Sequence, residues 1–239
     1  MTATAEAFGA LHRDRAPDDP LVLPGPWDAA SARVFEEAGH PALATPSAGV
    51  AAALGYADGS VPPREMFEAV GRIARAVSVP VSADVEDGYG LPARKLAGRL
   101  LDAGVVGCNL EDSAAAGSLK NSREQADYLA AVRQVAGREL FVNARVDTYL
   151  RGVADFEETV ARGRLYVEAG ADCVYVIKAP VEVLPALRSA IGAPLNALAV
   201  AGGPSPRELG GLGATRVTFG PGLHRRAMAA LGDIARQLR

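Results

Sequence analysis

Short β-type runs and longer helical stretches alternate eight times along this chain of 239 residues, and that rhythm constrains its fold more than any other feature. The β-type runs are Leu21–Pro24, Ala42–Ser47, Val79–Glu86, Val106–Asp112, Leu140–Asp147, Cys173–Ala179, Pro194–Val200 and Arg216–Pro221. Helical patterns follow them near Ala29–Ala38, Arg64–Val77, Pro92–Ala103, Ser122–Ala136, Asp155–Ala169, Val183–Ala190, Ser205–Leu212 and Leu223–Leu238. Pro92 reads as a first-turn proline, Ser122 and Ser205 as N-caps, and Gly39, Gly104, Gly137 and Gly170 as helix stops. Such alternation predicts a parallel sheet, and eight units in one domain-sized chain predict an α/β fold of the (β/α)8 TIM barrel type. An open doubly wound sheet needs a G-x-G-x-x-G turn after its first strand, and Leu23-Pro24-Gly25-Pro26-Trp27 is not one. With no linker or low-complexity tract, residues 1–239 read as a single barrel domain, with 1–20 as an N-terminal helix or arm.

Composition narrows the function classes. Basic residues number 25 and acidic 28, a net charge of −3, so no global field draws the chain to nucleic acid or an anionic membrane. No apolar run reaches the ~20 residues of a bilayer span, and residues 1–19 lack a secretory pattern, so a cytoplasmic location is expected. Two cysteines, Cys108 and Cys173, lie inside apolar runs and read as inert core thiols. The three histidines, His12, His40 and His224, are too scattered for a His-rich zinc site.

The polar residues inside the strands carry the chemistry. Alternation along the third run puts Ser82, Asp84 and Glu86 on one face. The fourth run gives Asn109 and Glu111, the fifth Asn143, Arg145 and Asp147. Three successive strands thus end in acids and an arginine at the C-terminal rim, where barrel active sites lie. One acid past a strand end commonly caps a helix or faces water; three that converge call for a partner. An all-oxygen set of this kind suits Mg2+ or Mn2+. Ser47-Ala48-Gly49 reads either as a backbone anion nest or as a plain small-residue turn. Trp27 reads as a packing residue. Lys178, which ends the sixth run, leaves a Schiff-base aldolase open.

These segments resemble the isocitrate lyase/phosphoenolpyruvate mutase (phosphonomutase) superfamily. The carriers are Pro26-Trp-Asp-Ala-Ala-Ser-Ala32, Ser47-Ala-Gly-Val-Ala51, Ser82-Ala-Asp-Val-Glu-Asp-Gly-Tyr-Gly90, Gly107-Cys-Asn-Leu-Glu-Asp112 and Asn143-Ala-Arg-Val-Asp-Thr148, in the family's order. The resemblance implies Mg2+, a small 2-oxo or 2-hydroxy carboxylate, and a homodimer or homotetramer with one barrel helix, the C-terminal one here, exchanged between subunits. It implies that Asp84, Glu86 and Glu111 form the metal site, some through water. It implies that Ser47, Ala48, Gly49 and Asn196 hold substrate, that Asp58 lies near the metal, and that Arg145 contacts substrate oxygens.

The departures bear on the reaction. Lyases of the family carry K-x-C-G-H after the Leu-Glu-Asp strand, whereas this chain has Asp112-Ser-Ala-Ala-Ala-Gly-Ser-Leu-Lys120. The Asn or Thr of the mutases and phosphonopyruvate hydrolases is also missing, with Gly117 in its place. Ser113, Ser118, Lys120 and Asn121 remain as the polar groups of a small, lid-like loop. The expected activity is Mg2+-dependent C–C bond cleavage through a pyruvate-type enolate. P–C bond chemistry, an aldolase using Lys178, and a non-catalytic 2-oxo-acid binder stand as alternatives.

Overall fold

The computed structural model describes residues 4–13, 15–114 and 117–238. Its eight strands are β1 (Leu21–Val22), β2 (Leu43–Thr45), β3 (Val81–Asp84), β4 (Gly107–Glu111), β5 (Phe141–Val146), β6 (Cys173–Val176), β7 (Leu195–Leu198) and β8 (Arg216–Thr218). All neighbouring pairs are parallel, in the order β1-β8-β7-β6-β5-β4-β3-β2. Across the β1–β2 seam the Ala44 N–H donates to the Pro24 carbonyl at 3.1 Å, which closes the sheet into the expected (β/α)8 barrel.

The helices are α1 (Ala5–Ala10), α2 (Ala29–Glu37), α3 (Ser47–Leu54), α4 (Pro63–Arg75), α5 (Ala93–Asp102), α6 (Ser122–Ala136), α7 (Phe156–Glu168), α8 (Leu184–Ile191), α9 (Pro206–Gly211) and α10 (Gly222–Gln237). The eight expected helices are all present, and α3 is an addition: Ser47-Ala48-Gly49 forms its first turn, not a loop. Two capping expectations shift by one residue. Asn121, not Ser122, caps α6, its side chain accepting the Arg123 and Glu124 N–H groups at 2.9 and 3.3 Å. Pro92 stands at the N-cap of α5 rather than inside its first turn.

Strand alternation divides the core in two. Val81, Ala83, Cys108, Leu110, Val142 and Ala144 pack outward against the helices, with Leu96, Leu100 and Leu129 fully buried among them. Each such leucine contributes about 2 kcal/mol of burial. The inward positions hold the polar residues. Helix α1 plugs the lower mouth. Phe8 is fully buried there, 5.2 Å from the Phe141 ring, with the Arg216 guanidinium 5.9 Å from its centroid. A side chain at Gly107 would come within 3.1 Å of both Phe8 and Ser82, so anything larger than glycine at this inward strand position would push its neighbours apart.

Candidate active site

Arg145 is the centre of the rim. Register on β4 and β5 sets it beside Glu111, and the next inward position, two residues on, is Asp147. Its Nε and Nη2 donate to Asp147 Oδ1 and Oδ2 at 2.6 and 2.8 Å, and Nη2 also lies 2.6 Å from Glu111 Oε2. Burial opposes the arginine's charge, but Asp147 and Glu111 outweigh it and raise its pKa. Among the described residues these ion pairs use Nε and Nη2, which leaves Nη1 for a ligand.

Asp84 and Ser47 meet from β3 and α3. The Ser47 hydroxyl donates to Asp84 Oδ2 at 3.1 Å, and the Glu86 N–H reaches Oδ1 at 3.3 Å. A side chain at Gly49 would sit 2.9 Å from Pro46 Cγ, so the first turn of α3 can pack this closely only with glycine. Glu86 is not a strand residue as alternation implied. Strand β3 ends at Asp84, and Glu86 lies in the turn beyond it, at a φ of 52°. Its Oε1 is buried without a partner. Burial, then Asp84, Asp58 and Asp87, push its pKa up to about 7. Burial, with Asp84, Asp147 and Glu86 against Arg145, pushes Glu111 up to about 8. Asp58 is exposed on the loop after α3 and acts on the cluster through its charge alone.

Among the described residues the lid-like loop closes as a hairpin at its base, and Ala115 and Ala116 of that loop lie outside the described residues. Ser113 and Leu119 pair as an antiparallel bridge, and the Lys120 N–H returns to the Asp112 carbonyl at 2.8 Å. Its polar residues are engaged. Ser113 is fully buried against Asp147, Lys120 lies 3.4 Å from Asp87, and Asn121 caps α6, while Ser118 is exposed. Asp112 is structural: it accepts the Asp147 N–H at 2.8 Å, the Tyr166 hydroxyl at 2.8 Å and Arg162 at 3.1 Å. Adjacent acids at the end of β4 therefore part company, Glu111 to the rim and Asp112, just past the strand, to the wall.

Other candidates fall elsewhere. Asn196 is fully buried, its amide donating to Thr218 at 2.9 Å, and no hydrogen bond among the described residues joins it to the rim cluster. Lys178 is exposed, at a φ of 58°, and so lacks the desolvation that activates a Schiff-base lysine. Cys108 and Cys173 are buried thiols pushed up to about 12 by burial, which fits inert core residues. Trp27 packs edge-on against Phe35 and His224, at 6.5 and 5.1 Å. Sequence reasoning left Asp147 out of the site, although its position two residues after Arg145 on the inward face was a readable signal.

The rim offers a divalent cation oxygen donors without a preformed direct cage. Among the described residues no three His, Cys, Asp or Glu side chains stand close enough to grip one ion directly. Glu111 is turned to Arg145 instead. The site nonetheless fits a hydrated hard cation. It gathers oxygen donors with more carboxylates than cations, one carboxylate oxygen is buried without a partner, and all three acids, Asp84, Glu86 and Glu111, have pKa values raised chiefly by burial that a cation would relieve.

Comparison with known proteins bears on the chain as a whole. Residues 8–239 match the family described as Phosphoenolpyruvate phosphomutase. A solved structure titled a putative phosphonomutase from Burkholderia cenocepacia J2315 superposes with a TM-score of 0.90 at 38% identity, covering 98% of this chain and 99% of that one. A 2,3-dimethylmalate lyase structure gives a TM-score of 0.88 at 29% identity, over 100% of this chain and 85% of that one. A probable 2-methylisocitrate lyase 2 of Corynebacterium glutamicum is 30% identical over 98% of this chain and 82% of its own length. By sequence profile and fold alike, the chain belongs to the PEP mutase/isocitrate lyase superfamily.

Proposed function

We propose that the protein is a Mg2+-dependent lyase that cleaves a C–C bond of a small 2-hydroxy or 2-oxo carboxylate through a pyruvate-type enolate. One observation carries this reading: Arg145, fixed by Glu111 and Asp147, shares the barrel rim with Asp84 and the first turn of α3. Asp84 would hold the ion, with Glu86 and Glu111 acting through water. Bound there, the ion supplies a positive charge for the substrate carboxylate and 2-oxygen. Ser47, Ala48 and Gly49 present a helix N-terminus, which favours an anionic carboxylate. In a 2-oxo substrate the bond from C3 to the departing carbon would break heterolytically: C3 keeps the electron pair, which spreads onto the 2-oxygen as an enolate and later takes up a proton at C3, while the departing carbon, whose hydroxyl gives up its proton, leaves as a carbonyl. Arg145 Nη1 meets that growing charge, so its hydrogen bond strengthens as the bond breaks.

P–C bond chemistry leaves the same enolate. It is favoured by the 38% identity to the structure titled a phosphonomutase and by a hairpin without the lyases' Cys and His. The assembly is proposed as a homodimer or homotetramer. No residue of α10 is buried, and Met228, Leu231 and Ile234 leave an apolar stripe on it for a second copy. The deciding experiment is a Mg2+ screen of small hydroxy, oxo and phosphono acids, scoring pyruvate, glyoxylate and phosphate release, with Asp84→Asn as control. Release by the wild type and its loss in a folded Asp84→Asn support the proposal. Turnover insensitive to EDTA overturns the metal's part in it. Phosphate as the sole product, without C–C cleavage, selects the second chemistry.

A further inference from the structure

We propose that Ser113 and Arg151 form a latch that locks the substrate-facing arginine through Asp147, so that the hairpin after β4 positions Arg145 instead of donating a catalytic group of its own. The proposal deepens the functional reading above and rests on it for the role of Arg145. Every link is a direct contact. Arg151 Nε donates to Ser113 Oγ at 2.8 Å, and Ser113 Oγ donates to Asp147 Oδ2 at 2.5 Å. Asp147 in turn receives both Nε and Nη2 of Arg145. Because the Ser113 oxygen already accepts from Arg151, its one proton is directed to Asp147. Asp147 and Ser113 are both fully buried, so no water competes for the carboxylate.

The elements explain the economy of this arrangement. Ser113 follows β4 directly, and its bridge to Leu119 closes the hairpin. The Asp147 N–H is pinned by Asp112, the residue before Ser113. The hairpin base and the end of β5 are thus sewn together at two adjacent residues, one bond to the backbone and one to the carboxylate. Asp147 is anchored on both oxygens, which restricts the guanidinium to one plane and aims Nη1 outward. Loss of the serine hydroxyl would free one edge of that anchor without leaving a buried charge unpaired, because Arg145 still neutralises Asp147.

The latch is tested with Ser113→Ala, Arg145→Lys and their double variant, all as full chains. The first readout needs no ligand: proton exchange at Arg145 Nε–H, followed by 15N NMR and assigned by its loss in Arg145→Lys. The second is affinity for oxalate with Mg2+, oxalate being a planar mimic of the enolate. Ser113→Ala is expected to speed exchange at Nε–H and weaken oxalate by about tenfold. In the Arg145→Lys background the same substitution is expected to change oxalate affinity less than about twofold. Unchanged exchange in Ser113→Ala overturns the latch, and so does an equal loss of affinity in both backgrounds. If the wild type binds no oxalate with Mg2+ while Ser113→Ala still speeds exchange, the functional reading fails and the contact chain stands.

Discussion

At the residue scale, Arg145 bears the greatest demand. It is nearly buried, paired with two acids, and still has one nitrogen to offer. Lysine in its place would keep the charge but lose the fork that grips Asp147 on two oxygens. Arg145→Lys should therefore lower kcat by roughly 10²–10³-fold, the size typical of losing one oxyanion donor, with KM also raised. Steady-state kinetics on the substrate found by the Mg2+ screen check this. A lower melting temperature with unchanged kinetics would make the arginine purely structural. The sequence made this residue legible because strand alternation is a hard rule: Asn143, Arg145 and Asp147 had to share a face. It left the partners unread. Which acid Arg145 would choose, and that Ser113 would reach Asp147 across 34 residues, depends on register and hairpin closure that no local pattern encodes.

At the element scale, alternation failed where a strand stopped. Glu86 was assigned by continuing β3 past its end, and the chain turns left-handed there instead. Ser47-Ala48-Gly49 reads from sequence as a backbone anion nest or a small-residue turn, because small residues are weak helix signals, yet it forms the start of α3, packed closely on Pro46. Helix α1 offers a test of its own. His12 stacks on Phe141 at 4.2 Å and its Nδ1 lies 2.9 Å from the Phe8 carbonyl. Burial, then Arg216, lowers its pKa to about 3, against 6.5 for an ordinary histidine. The folded state keeps this ring neutral while the unfolded chain takes up a proton below pH 6.5. Stability from this site is thus complete above pH 6.5 and falls as pH drops toward 3, by up to about 1.4 kcal/mol per pH unit. Denaturant melts of wild type and His12→Gln between pH 7 and 4 should show a shallower pH slope in the variant. Parallel slopes would mean that the ring is not shielded under the barrel.

At the scale of the whole molecule, the barrel explains itself except at its last helix. Helices α4 to α8 each bury an apolar stripe on the sheet and α9 buries Leu209, whereas no residue of α10 is buried. Met228, Leu231, Ile234 and Leu238 are 43%, 56%, 53% and 82% exposed, at spacings that put them on one side of the helix. Covering what remains exposed of Met228, Leu231 and Ile234 is worth about 1 kcal/mol each, roughly half of a full burial. The root of α10 also touches the rim: His224 packs on Trp27 at 5.1 Å, and its Cβ lies 3.6 Å from where a side chain on Gly49 would begin. On the proposed assembly, docking of α10 on a second copy would steady the α3 turn proposed to hold the substrate carboxylate. Leu231→Glu with Ile234→Glu places two charges in that contact without touching any core residue. The double variant is expected to sediment as a monomer and to lose oxalate affinity together with its assembly, while its circular dichroism stays that of the wild type. A wild type that sediments as a monomer, or a variant that keeps its mass, would show that α10 has no such partner. An assembly that dissociates with oxalate affinity intact would separate the stripe from the site, and the rim would then stand complete within one chain.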